Sequence, residues 1–258
     1  MDADKYIVGT SGYSFRDWVG PFYPPGTAGG EMLSRYVEHF RTVEVNFTYY
    51  RMPAADTLAR MADRTPDGFD FWIKANQQIT HEQNRSPAAE FLDALRPMRD
   101  RGKLAGVLLQ FPQSFHRTVE NRRFLADVID DFQAVPRAVE FRHRSWQSPA
   151  TLRGLQERET ALVVPDVPDL RDLFHSEAVI TSSIGYLRLH SRDAGKWYAG
   201  PAERYDYSYS KEELRAILGE WSGVQGAAEK VYTFFNNCHA GQAAENAELF
   251  RRLLGQIP

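Results

Sequence analysis

Gly185-Tyr186-Leu187-Arg188-Leu189-His190 alternates apolar and polar side chains along its last four positions. On a strand, successive side chains point to opposite faces, so Leu187 and Leu189 share one face while Arg188 and His190 share the other. The pattern returns twice. In Val43-Glu44-Val45-Asn46 the valines oppose Glu44 and Asn46, and in Val139-Glu140-Phe141-Arg142 the apolar pair opposes Glu140 and Arg142. When a sheet closes into a cylinder ringed by helices, the aliphatic face meets the helices and the polar face turns inward.

The rest of the chain keeps the same rhythm. Strand-like runs occupy Tyr6–Ser11, Thr42–Asn46, Phe69–Ala75, Leu104–Phe111, Arg137–Phe141, Ala161–Asp166, Gly185–His190 and Val231–Asn236. Amphipathic stretches separate them, which indicates βαβ units and a parallel sheet. Ser86-Pro87 and Ser148-Pro149 each read as a capping hydroxyl before a proline at the first helical position. Ser210-Lys211-Glu212-Glu213 reads as a capping box. Leu249, Phe250, Leu253 and Leu254 share one face of a last helix that Gly255 stops. The sixth unit, Pro168 to Ser183, holds a short helix at best.

A doubly wound open sheet would account for the same alternation, but it usually carries a glycine-rich phosphate turn after its first strand. Gly9-Thr10-Ser11-Gly12 matches neither of the usual forms. The 258 residues suit one α/β barrel, which typically needs about 250. The expected fold is therefore a (β/α)8 TIM-like barrel with a single domain over 1–258.

Composition narrows the function. The net charge of −3 argues against broad nucleic-acid coating, which wants a basic face, though it leaves room for a local basic pocket. The lone cysteine, Cys238, excludes an intramolecular disulfide. No segment approaches a membrane span, and no apolar stretch of signal-peptide length follows Met1, so a cytoplasmic protein without membrane contact is expected.

Barrel active sites lie at the carboxyl ends of the strands. There the inward set comprises Glu44, Asn46, Lys74, Gln110, Glu140, Arg142, Asp166, Arg188, His190 and Asn236. Barrel interiors are ordinarily apolar and buried charge is costly unless paired, so so many polar groups point to a functional pocket rather than a structural ion network. Lys74, Arg142 and Arg188 suit a carboxylate or phosphate. Glu140 and Asp166 are candidates for acid–base work, or they simply neutralise the arginines. His190 is a candidate proton shuttle, set against a hydrogen-bonded structural role. The carboxylates and His190 are also metal-type ligands, but the neighbouring cations would repel an ion and no H-x-H or H-E-x-x-H spacing occurs, so no metal ligand is assigned. Any cofactor is left open. Two aromatic loops follow strands: Tyr13, Phe15, Trp18, Phe22 and Tyr23 after the first, and Trp197, Tyr198, Tyr205, Tyr207 and Tyr209 after the seventh. Tyr13 and Trp18 are taken as substrate-binding candidates on a stacking wall; the alternative is a lid packed on itself or a partner surface.

At these residues the chain resembles the YecE-like family, also called domain of unknown function 72. The matching stretches are Gly9-Thr10-Ser11-Gly12-Tyr13-Ser14 with Trp18, Val43-Glu44-Val45-Asn46 with Thr48-Tyr49-Tyr50-Arg51, and Lys74 with Ile79-Thr80-His81. Gln110-Phe111-Pro112, Val139-Glu140-Phe141-Arg142-His143, Tyr186-Leu187-Arg188-Leu189-His190 and Phe235-Asn236-Asn237 complete them. The resemblance spans nearly the whole chain and implies a TIM-like barrel, without supplying an activity.

Three functions compete. The first is an enzyme using acid–base chemistry on a small anionic or sugar-like substrate. The second, less favoured because of the acidic net charge, is a nucleic-acid-binding or -processing barrel. The third is a non-catalytic ligand-binding module. Oligomeric state is open.

Overall fold

The computed structural model describes residues 2–258, with only the backbone described at 201 and 202. The strands are β1 (Tyr6–Thr10), β2 (Thr42–Val45), β3 (Asp70–Lys74), β4 (Leu104–Gln110), β5 (Arg137–Glu140), β6 (Ala161–Asp166), β7 (Ile184–Leu189) and β8 (Lys230–Phe235). All pair in parallel, in the order β1-β8-β7-β6-β5-β4-β3-β2. Every boundary lies within one residue of the run read from the sequence. The order leaves β1 and β2 at the two ends, and a single bridge between Ser11 and Glu44 brings them together, with the Gly12 N–H donating to the Glu44 carbonyl at 2.8 Å. The result is a nearly closed (β/α)8 TIM-like barrel.

Helices α1 (Met32–Tyr36), α2 (Phe47–Tyr50), α3 (Ala55–Asp63), α4 (Gln77–Thr80) and α5 (Ala88–Asp100) accompany the first half. Helices α6 (Val119–Asp131), α7 (Pro149–Gln156), α8 (Pro201–Arg204), α9 (Lys211–Ser222) and α10 (Gln242–Leu253) accompany the second. Ser148 caps α7 through the Thr151 N–H, and Ser210 with Glu213 forms a reciprocal capping box on α9. Gly255 follows α10 with φ at +74°, the left-handed turn that ends a helix without steric cost in glycine. Ser86 behaves differently. It bonds the Asn84 side chain instead of capping, and α5 starts at Ala88 behind Pro87. Between β6 and β7 the described residues form no helix.

The seam between β1 and β2 is held by a side chain where a ladder would otherwise run. The Tyr36 hydroxyl accepts from the Thr10 N–H at 3.0 Å and donates to the Thr42 carbonyl at 3.0 Å. The strands run so close that a Cβ on Gly9 would sit 2.4 Å from the Thr42 carbonyl oxygen.

Inside the barrel, the layers change character from the amino to the carboxyl end. Trp72, Tyr186, Tyr232 and Phe234 fill the middle with Leu108, Ala138, Ala161 and Val163. Trp72 meets Tyr186 edge to face at 4.8 Å, and Gly106 leaves room for its ring, which a Cβ there would approach to 2.7 Å. This aromatic plug closes the barrel from below. The polar side chains above it are reached from the carboxyl rim.

Tyr36→Phe leaves the buried Thr10 N–H and Thr42 carbonyl without their shared partner. It is expected to cost about 1–3 kcal/mol in urea denaturation, with the m-value unchanged. Gly9→Ala is expected to cost more, because the atom it meets is backbone and cannot step aside.

Candidate functional site

Period-two alternation on β2, β5 and β7 delivers Glu44, Glu140 and Arg188 to one level above the aromatic plug. Arg188 is 2% exposed and both carboxylates are fully buried. Its guanidinium holds Glu44 bidentately, with Nε to Oε2 at 2.9 Å and Nη2 to Oε1 at 2.6 Å, while Nη1 reaches Glu140 Oε2 at 2.7 Å. Glu44 also accepts from the Tyr186 hydroxyl at 2.7 Å and from Asn46 Nδ2 at 3.1 Å. Glu140 Oε1 lies 2.9 Å from Arg142 Nε and 3.2 Å from His190 Nε2. The Nδ1 of His190 is 2.9 Å from Asn236 Nδ2. One tautomer satisfies both contacts: Nε2–H donates to Glu140, and Nδ1 accepts from the Asn236 amide.

The protonation states follow from this geometry. Burial alone would raise the Glu140 pKa, but Arg142, Arg188 and the His190 hydrogen bond outweigh it and hold the carboxyl well below its usual range. Burial also works against the Arg188 charge, and the two glutamates overcome it. Burial and then Arg142 push His190 down to about 3, so its ring is neutral near neutrality. Two carboxylates and two guanidiniums thus cancel, with a neutral imidazole beside them.

Lys74, the last residue of β3, stands outside that balance. Lys74 is half-buried; among the described residues its Nζ makes no ion pair and no hydrogen bond, and it lies over the Tyr49 ring, 4.2 Å from the centroid. Burial first, then the nearby Arg188 charge, lowers its pKa to about 7. Lys103, which is more deeply buried, shows the contrast, donating to Ala62 O at 2.7 Å, Thr65 O at 2.5 Å and Thr65 Oγ1 at 3.2 Å.

Above this floor opens a cavity of about 770 Å³. Lys74, Arg142, Arg188, Gln110, Asn46 and Asn236 line it, as does Tyr13. Two buried oxygens on residues of its wall, Ser11 Oγ and Asn46 Oδ1, have no hydrogen-bond partner among the described residues. The Arg142 guanidinium makes no hydrogen bond among the described residues; its Nε lies 2.9 Å from Glu140 as an ion pair, and its terminal nitrogens are left free for a ligand. Trp197, Tyr198 and Tyr205 from the long connection after β7 form the opposite wall.

Five expected site residues do not line the cavity. Glu44 and Glu140 are fully buried in the ion network behind its wall. Asp166 is not on the cavity. It shares the face of Leu162 and Val164, whereas Ala161 and Val163 point into the barrel, and it binds Arg192 and the Tyr209 hydroxyl. Trp18 is a core residue, fully buried against Phe15, Phe22 and Tyr23, with its Nε1 donating to the Cys238 carbonyl at 2.7 Å. His190 sits behind Glu140 with no exposure, supporting the carboxylate instead of facing the cavity. Cys238 is buried, its thiol pushed up by desolvation. Among the described residues no group of three His, Cys, Asp or Glu side chains is arranged to hold a metal ion. Sequence reading did not assign Tyr49, His81 or Arg204, all on the cavity wall. Burial, followed by the Lys74 charge, lowers the His81 pKa to about 4, and its Nδ1 lies 2.9 Å from Thr80 Oγ1.

Residues 7–258 match the family model described as protein of unknown function DUF72. The chain belongs to the DUF72 family. Among curated proteins this DUF72 chain is similar to UPF0759 protein YunF of Bacillus subtilis (strain 168), at 30% identity over 96% of this chain and 94% of that one. The crystal structure of a DUF72 family protein from Thermotoga maritima MSB8 superimposes with a TM-score of 0.90 at 35% identity, covering 97% of this chain and 99% of that chain. One from Enterococcus faecalis V583 gives 0.86 at 25% identity, covering 97% and 95%. No helix among the described residues is long and apolar enough to cross a membrane.

Arg188→Met strands Glu44 as an unpaired buried charge, leaves Glu140 to Arg142 alone, and is expected to cost about 3–5 kcal/mol in chemical denaturation. Lys74→Met should do the opposite. With a folded pKa near 7 against 10.5 unfolded, the parent carries its full burial penalty below about pH 7. That penalty shrinks as pH rises and vanishes above the unfolded value. The Met variant is therefore expected to melt higher than the parent at about pH 6, with the gap closing towards about pH 10, as followed by circular dichroism.

Proposed function

We propose that this DUF72 protein is an enzyme that binds a small, hydroxyl-bearing carboxylate or phosphate in the cavity and transfers protons on it. The observation that carries the reading is the charge balance. The four charges around Arg188 cancel, and Lys74 is left as a half-buried cation on the cavity with no ion-pair partner among the described residues. A substrate anion supplies that charge. Arg142 offers it the unused edge of its guanidinium, a geometry suited to carboxylate or phosphate. Gln110, Asn46 and Asn236 bring amide groups to the same wall, suited to substrate hydroxyls. The volume suits a metabolite-sized ligand.

In this reading Lys74 exchanges the proton, because it is the cavity group poised near neutrality, where general acid–base catalysis is most effective. Glu140 is engaged by Arg142, Arg188 and His190, and with Glu44 it fixes the cationic framework. The acidic overall charge favours a small ligand over nucleic acid.

Sulfate, whose charge is constant near neutrality, tests the anion site by calorimetric titration. Its affinity is expected to fall by up to about tenfold per pH unit above about pH 7, and to become flat with pH in Lys74→Met. Equal sulfate affinity in the parent, Lys74→Met and Arg142→Met would remove the site. Turnover is read by incubating the protein with mixed phosphorylated and carboxylated hydroxy compounds and following each by mass spectrometry. Consumption that is identical in the parent and Lys74→Met would leave binding without catalysis.

A further inference from the structure

The geometry points to Lys74 as a nucleophile that forms an imine with the carbonyl group of an anionic, hydroxylated substrate, a 2-oxo acid or a phosphorylated hydroxy-aldehyde or ketone. This rests on the anion-binding reading above and goes further, naming the reactive group of the substrate and a covalent step.

The placement of the amine is the first support. A lysine that only holds an anion works well at an exposed rim, where its ammonium stays hydrated. Lys74 instead sits at the cavity floor, against the face of Tyr49, with neither carboxylate nor carbonyl to hold its protons in place. Lys103 shows that this chain satisfies a buried ammonium fully where the role is structural. Desolvation beside other cations is the environment that makes a lysine nucleophilic, because it leaves a substantial fraction as free amine near neutrality.

The second support is charge. The amine nitrogen bonds to the carbonyl carbon, and the carbonyl oxygen takes up a proton to give a carbinolamine. Loss of that oxygen as water, carrying the second amine proton, leaves a C=N bond, and protonation gives the iminium. No oxidant or reductant is required. The iminium restores a positive charge on a side chain that has no ion-pair partner among the described residues, so a neutral carbonyl compound is a poor partner. A carboxylate or phosphate on the substrate, seated on Arg142, offsets it. The same anion explains why a buried cationic cluster would host this reaction.

The third support is a proton relay beside the amine. His81 packs against the Tyr49 ring at 4.9 Å, on the ring that also carries Lys74. Its Nδ1 is engaged by Thr80, and its Nε2 has no partner among the described residues. The neutral ring is suited to passing a proton between the carbinolamine oxygen and water.

The test is reductive trapping. The full-length protein is incubated separately with pyruvate, dihydroxyacetone phosphate and uncharged dihydroxyacetone, each with cyanoborohydride, which converts an iminium into a stable secondary amine. Peptide mass mapping then locates the adducts. Labelling of Lys74 by pyruvate or dihydroxyacetone phosphate is expected to exceed labelling of the exposed lysines by at least about tenfold, and to exceed labelling by uncharged dihydroxyacetone by a similar factor. Lys74→Arg keeps a cation and is expected to bind sulfate while forming no adduct there. Sulfate binding with no preferential label at Lys74 from either anionic probe overturns the imine and leaves the anion site standing. Equal labelling by the charged and uncharged probes overturns the anionic substrate class. Loss of saturable sulfate binding in the parent overturns the underlying reading instead.

Discussion

Charge neutrality in a dry interior constrains everything at the carboxyl end of this barrel. Arg188 is almost wholly buried, and no arginine survives there unless its charge is matched and its donors are used. Glu44 and Glu140 provide the match from β2 and β5, and each needs further donors of its own. Tyr186 and Asn46 complete Glu44, while Arg142 and His190 complete Glu140. Three strands are thereby tied through one guanidinium. The neutral total is what makes the additional cation on β3 conspicuous.

Such a network is expensive to assemble, and well-packed apolar residues often replace buried ion pairs without loss of stability. Its use here is positional. The Glu140 charge holds Arg142 beside it on the cavity wall, where its terminal nitrogens stay free of protein partners among the described residues. The network and the seam also touch. Glu44 contributes its side chain to Arg188 and its carbonyl to the Gly12 N–H, so the residue that balances the interior charge also helps close the cylinder.

Much of this was legible in the sequence, because the strand period of two is exact enough to assign a face from a few residues. Glu44, Glu140, Arg142, Arg188 and His190 were all placed inward by that rule. Asp166 was not lost for want of signal. Leu162 and Val164 share its parity and already mark the helix-facing side, but its position at a strand end was read ahead of its alternation. Trp18 illustrates a different limit. Aromatic residues clustered in a loop look the same whether they wall a cavity or pack on one another, and only the three-dimensional path of the chain buries Trp18 beneath Phe15 and Phe22. The isolation of Lys74 was beyond reach for a related reason. Its direction follows from Trp72 two residues before it, but the absence of a partner is a property of seven other strands.

The ring of aromatic side chains beneath the charged layer makes the cavity a cul-de-sac. In the proposed reading a ligand enters and leaves past the same residues, Trp197, Tyr198, Tyr205 and Tyr13 among them, so exchange is sequential. The pace of exchange belongs to the rim and not to the floor, so this scaffold can alter how long it detains a molecule by changing residues that never touch the buried charges.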